Sequence, residues 1–116
     1  MTKEYIGTKQ VTAWPQEKDG KEGYAVKYAD GYISWSPKDV FDAAYIDIGH
    51  VSHLPPQQQR VIGEKAVLDD RLRKLIAFIG TPIFTGLEEE ERERLVQQRR
   101  AMAQYSIILG ERIAAF

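Results

Sequence analysis

The chain has 116 residues, a formal net charge of −1, 43% hydrophobic and 28% charged residues, and no cysteine. That is enough for one domain or for two small modules sharing a core. The absence of Cys excludes disulfide scaffolds, thiol nucleophiles and Cys-type zinc sites. His50 and His53 alone exclude a His-rich metal centre, and the near-neutral balance argues against a nucleic-acid polymer as partner.

Tyr5 to Trp14 is rich in β-branched and aromatic residues and predicts a strand that Pro15 ends. Residues 16–23 are polar, with Lys-Asp-Gly and Lys-Glu-Gly, and read as an exposed loop. Tyr24 to Tyr28 alternates as a second strand. Asp30-Gly31 is a hairpin-turn signal leading into a third strand, Tyr32 to Trp35. These make a small three-stranded antiparallel sheet. A short helix follows, with Ser36 as its cap, Pro37 at its first position and Asp39 in the first turn. Its apolar side is Val40, Phe41, Ala44 and Tyr45. This β-module spans 1–48, and 49–54 reads as a linker.

Residues 55–116 predict a long antiparallel helical hairpin, with helices over about 56–79 and 86–115. Apolar residues fall at Val61, Leu68, Leu72, Leu75 and Ile79 in the first arm. In the second they fall at Leu95, Met102, Tyr105, Leu109, Ile113 and Phe116. Steps of three, four and seven put each set on one helix face, close to a heptad seam. Pro55-Pro56 suits a helix entry. Gly80 and Pro82 predict a break, with Gly80 taking a left-handed turn. Thr85 with Glu88 has capping-box spacing for the second arm, and Glu88 to Glu91 suits the helix dipole. Further apolar positions (Ile62, Ala66, Ile76, Phe78, Ile107, Ile108) lie off the main stripe. They imply contact with the N-terminal module, another copy of the chain, or both. The fold class is therefore α+β, a small sheet with a short helix followed by a hairpin that oligomerises.

Catalytic motifs are missing. There is no phosphate-cradling loop with its Lys, no nucleophile elbow, no two-His helical metal site and no dinucleotide fingerprint. A non-enzyme without cofactor or metal is expected. No apolar run reaches membrane-spanning length and no basic-plus-apolar leader opens the chain, so a cytosolic protein without a membrane partner is expected.

The hairpin does carry binding chemistry. Every basic residue before His50 is Lys, and every Arg lies in the hairpin. Arg presents a planar fork suited to phosphate and stacks on flat rings, although its long stem also covers apolar surface. Candidate ligand-binding residues are His53, Arg60, Lys65, Arg99, Tyr105 and Arg112: cations for phosphates, flat side chains for bases. A tyrosine at position 105 is more often a core aromatic, and a lone histidine such as His53 is more often a turn or packing residue.

Two stretches carry a resemblance. Tyr5-Ile6-Gly7-Thr8-Lys9, with Asp30-Gly31-Tyr32-Ile33-Ser34-Trp35-Ser36-Pro37-Lys38-Asp39-Val40-Phe41, resembles a short phage module found joined to different C-terminal partners. His53-Leu54-Pro55-Pro56-Gln57-Gln58-Gln59-Arg60-Val61, with Glu64-Lys65, Leu68-Asp69, Leu75 to Ile79 and Met102 to Ile113, resembles the helical hairpin of phage anti-CBASS and Thoeris anti-defense nucleotide sponges. That resemblance implies a non-enzymatic homo-oligomer, often a hexamer, in the host cytoplasm. It implies capture of a cyclic oligonucleotide or cyclic ADP-ribose-type immune signal in pockets between chains. Lys65 matches a ligand-contacting Lys there, and Arg99, Tyr105 and Arg112 fall in a second pocket type. The β-module replaces the short aromatic helix that usually precedes the Pro-Pro entry, leaving Tyr45, His50 or His53 to substitute. The alternative is a protein–protein adaptor or inhibitor with no small-molecule ligand.

Overall fold

A computed structural model describes residues 1–116 and divides them into two compact units, Met1–Tyr45 and Ile46–Phe116.

In the first unit, β1 (Thr12–Pro15), β2 (Gly23–Lys27) and β3 (Ile33–Pro37) form an antiparallel sheet in the order β1-β2-β3. The register sets Trp14 opposite Ala25 and Ala25 opposite Trp35. Asp30-Gly31 makes the β2–β3 turn. Gly31 takes φ +90°, a region that only glycine enters freely, and Asp30 Oδ1 accepts from the Tyr32 N–H at 3.0 Å. The core sits on the central strand, where Ala25 and Val26 are buried. A side chain at Gly23 would place its Cβ 2.4 Å from the Ser36 carbonyl oxygen and from the Trp35 ring. Trp35 is fixed over that glycine by its Nε1–H, which donates to the Gln16 carbonyl at 2.7 Å. Helix α1 (Lys38–Ala44) packs by Phe41, whose ring stacks on Tyr24 at 4.4 Å and on Tyr45 at 4.8 Å.

Three local expectations change. β1 begins at Thr12 rather than Tyr5, because Thr12 pairs with Lys27, the last residue of β2, and the ladder extends no further back along the chain. Tyr5 and Ile6 are accordingly exposed. Pro15 is the last residue of β1 and ends it as expected, tolerable on an edge strand that needs no outward N–H. Ser36 belongs to β3 and its hydroxyl donates to the Pro37 carbonyl, so α1 starts after Pro37 without a side-chain cap. Val40 and Ala44 are exposed, which leaves Phe41 and Tyr45 as the packed side of α1.

In the second unit, α2 (Pro56–Ile79) and α4 (Glu89–Ala114) pack along each other, joined through the short α3 (Pro82–Thr85). Proline in the first turn of α2 loses no helix bond. At the tip, Gly80 takes φ −80°, an ordinary right-handed value, so no left-handed turn is made. Thr81 closes the tip instead. Its Oγ1 accepts from the Phe84 N–H at 3.4 Å and donates to the Phe78 carbonyl at 2.6 Å. Thr85 ends α3, with its hydroxyl spent on the Pro82 carbonyl at 2.8 Å. It therefore caps nothing, and α4 starts after Glu88 without a side-chain cap, with Glu89, Glu90 and Glu91 in the first turn. Phe78 meets Phe84 edge to face across the tip. Residues 46–54 carry no helix or strand and close onto the start of α2, where Gln59 Nε2 donates to the Leu54 carbonyl at 2.8 Å.

Only Val61 and Leu109 are buried in this unit. Leu68, Leu72, Leu75, Ile79, Leu95, Met102 and Ile113 are half-buried along the seam, while Phe116 is exposed. Tyr105 is 42% exposed, off the seam by one step, and Ile76, Ile107 and Ile108 are exposed as well.

Candidate functional site: the polar seam of the hairpin

Lys65 and Asp69 are one turn apart on the same face of α2, and Ser106 faces them from α4. Lys65 Nζ donates to Asp69 Oδ2 at 2.7 Å and to Ser106 Oγ at 3.1 Å. Ser106 Oγ donates to Asp69 Oδ1 at 2.6 Å. Both carboxylate oxygens are thus occupied, one by an ammonium and one by a hydroxyl. These bonds from Lys65, then Ser106, hold the Asp69 carboxyl below its usual range and outweigh the opposing effect of desolvation. The Lys65 and Asp69 side chains remain 28% and 32% exposed, so solvent reaches the cluster.

Gly110 lies one turn beyond Ser106. A Cβ there would sit 3.4 Å from Lys65 Cε, so the lysine stem runs across a gap in the surface of α4. Lys65 therefore meets α4 between Ser106 and Gly110, which fixes the antiparallel register. By that register Arg60 and Arg112 share a level near the open end of the hairpin, and both are exposed. His53 is exposed in the turn before α2. Tyr105 neighbours Ser106 in the chain but sits off the seam. Arg99 is half-buried two turns before Ser106, on the same stripe. It lies about 20 Å from Arg112 along the helix at about 1.5 Å per residue. The six expected residues therefore do not converge within one hairpin. Lys65 stands between an open-end group (His53, Arg60, Arg112) and Arg99, with Tyr105 to one side.

Asp69, Ser106 and Arg92 were not among the expected site residues. Arg92 continues the stripe of Ser106 and Arg99 at seven-residue steps, and its Nε is buried without a hydrogen-bond partner. Asp70 takes Arg73 and Lys74, and Glu91 takes Arg94. Arg60, Arg71, Arg92, Arg99, Arg100 and Arg112 are left without an acid partner. No cluster of three His, Asp or Glu side chains forms a metal site, and no helix is long and apolar enough to cross a membrane.

The first unit carries a separate cleft of about 470 Å³ at its β2–β3 turn, lined by Lys9, Gln10, Tyr28, Ala29, Asp30 and Tyr32. The two tyrosine rings lie 6.1 Å apart, 17° from parallel, and Lys9 Nζ stands 4.4 Å from the Tyr28 ring centre.

A family model described as Sequestin matches residues 55–115, the span of α2, α3 and α4. Neither a curated protein nor a solved structure matches the chain.

Proposed function

The chain belongs to the Sequestin family, and from that premise we propose that it binds and sequesters a cyclic nucleotide signal, of the cyclic oligonucleotide or cyclic ADP-ribose type, without cleaving it. The observation that carries this reading is the set of unpaired guanidinium groups on the matched hairpin. Arg92 and Arg99 are half-buried on the seam stripe, Arg60 and Arg112 stand at its open end, and none has an acid to neutralise it. A buried donor without an acceptor costs about 1–3 kcal/mol, and a phosphate oxygen accepting from a guanidinium forms a charge-assisted bond of about 1.5–3 kcal/mol. The exposed Tyr105 ring offers a flat surface for a base.

The same hairpin supports assembly. With Val61 and Leu109 as its only buried apolar residues, and Ile76, Ile107 and Ile108 exposed, it has more apolar surface than one copy covers. We read the pockets as lying between copies in a homo-oligomer, a hexamer among the possible assemblies, because one hairpin spreads its cations along its length. Sequestration rather than turnover fits the chemistry of the polar cluster. The Ser106 hydroxyl is committed to Asp69, and the Lys65 ammonium donates to Ser106 instead of accepting its proton.

A thermal-shift screen of the full chain against cyclic dinucleotides, cyclic trinucleotides and cyclic ADP-ribose isomers tests the reading. A ligand at a hundred times its Kd stabilises by about 2.7 kcal/mol, a shift of several degrees. Silence across the whole panel removes it. The exposed Tyr105, Ile107 and Ile108 favour one rival, a surface docking on another protein, which predicts that silence together with one stoichiometric protein partner.

A further inference from the structure

We propose that Lys65 and Ser106 form an anion site that Asp69 keeps closed, its carboxylate standing where two oxygens of a phosphate would stand. The inference rests on the sequestering reading for its purpose but not for its test. It comes from the bonding pattern. Lys65 Nζ and Ser106 Oγ, carried on different helices, converge on the two oxygens of one carboxylate at 2.7 and 2.6 Å. An ammonium and a hydroxyl that close around one carboxylate have the reach and the donor types to close around a phosphate. Asp69 therefore competes for the same donors from within the chain, at an effective concentration no free anion matches.

Two further features fit a gate better than a fixed strut. The cluster is open to solvent on one side, with both Lys65 and Asp69 about a third exposed. Lys65 also crosses a helix-interior glycine. Gly110 lowers helix propensity by about 1 kcal/mol relative to Ala, and the atom nearest its missing Cβ is Lys65 Cε. That gap leaves the lysine stem free to swing from Asp69 toward an incoming anion. The ammonium carries three donor hydrogens and uses two, so a phosphate gains its first bond before Asp69 lets go. Asp70, next along α2, stays out of the exchange, being paired with Arg73 and Lys74. The consequence is selectivity. A single phosphate displaces Asp69 only near saturation, whereas a ligand with further contacts on the hairpin displaces it at far lower concentration.

Inorganic phosphate tests this without any nucleotide. The full chain, its Asp69→Asn variant and the Lys65→Met/Asp69→Asn double variant are titrated with phosphate at low ionic strength, followed by amide and side-chain NMR. The gate predicts at least tenfold tighter phosphate binding in Asp69→Asn than in the native chain, with shifts centred on residues 65 and 106. The double variant loses that gain. Equal affinity in the native chain and Asp69→Asn overturns the proposal, and so does a gain that survives in the double variant. A native-chain measurement stands beside these in case the variants misfold. At saturating phosphate the Asp69 carboxyl carbon shifts together with the Lys65 side chain. A Lys65 shift with Asp69 unmoved overturns the gate. Failure of the nucleotide screen leaves this outcome unaffected, so the two readings fail separately.

Discussion

Leu109→Ala tests how the hairpin is held together. Leu109 is 1% exposed, and with Val61 it supplies all the fully buried apolar side chains of residues 46–116. Truncating a fully buried leucine costs about 2–5 kcal/mol, the transfer of the lost atoms plus the cavity left behind. The seam around it is half-buried and can partly collapse or admit water, which places the expected cost near 3 kcal/mol. For a unit of this size that lowers the midpoint of thermal unfolding by about 12 °C or more. Circular dichroism at 222 nm reads α2 and α4 almost alone, since they hold most of the helix. The companion is Ile107→Ala, at a residue 56% exposed. In a lone hairpin it changes the midpoint by less than about 2 °C; in an assembled one its effect grows as the chain is diluted. A Leu109→Ala midpoint within 2 °C of native refutes the packing argument.

Three further outcomes follow from particular residues. The Asp69 carboxyl is held below its ordinary 3.8 in the fold, so its contribution is complete above about pH 4 and is lost as pH falls toward the lowered value. Urea midpoints at pH 5 and pH 3 should therefore fall further in the native chain than in Asp69→Asn, and equal falls contradict the hydrogen-bond account. Gly23→Ala drives a Cβ into the Ser36 carbonyl and the Trp35 ring and should cost the first unit about 2–3 kcal/mol. Both tryptophans lie in that unit, so their fluorescence reports it alone, and a native emission midpoint refutes the clash. Arg99→Ala should weaken nucleotide binding about tenfold or more, at about 1.5–3 kcal/mol for a charged hydrogen bond, without moving the unfolding midpoint. Unchanged affinity removes Arg99 from the site.

The large elements were readable because each rests on a repeating signal. The three strands and their order follow from alternation and from Asp30-Gly31, and the α2/α4 hairpin follows from apolar steps of three, four and seven. The errors fall where two local rules competed. Thr85 has capping-box spacing with Glu88, yet Thr81, four residues earlier, nucleates α3 behind Pro82 and takes the capping role. Ser36 looks like a cap, but pairing with Tyr24 keeps it in β3. Tyr5 to Val11 has strand composition, but the β1–β2 ladder stops at Thr12–Lys27, a limit that composition does not encode.

The polar cluster was half visible. Lys65 and Asp69 show the four-residue spacing of a helix ion pair, but Ser106 is a small polar residue in an apolar run. The signal that picks it out is the seven-residue step through Arg92, Arg99, Ser106 and Ile113, which marks a seam stripe with polar members. Tyr105 lies three residues from Met102, a step that predicts a place on the seam. Helical drift carries it off the seam, where Ser106 faces α2 instead.

The central claim is capture without chemistry. Isothermal titration of the full chain with the cyclic nucleotides that stabilise it, followed by heat denaturation and chromatography of the released ligand, tests it most directly. The account predicts saturable binding at micromolar concentration or below and recovery of the ligand intact. No binding heat with any of them, or a cleaved product after release, contradicts it.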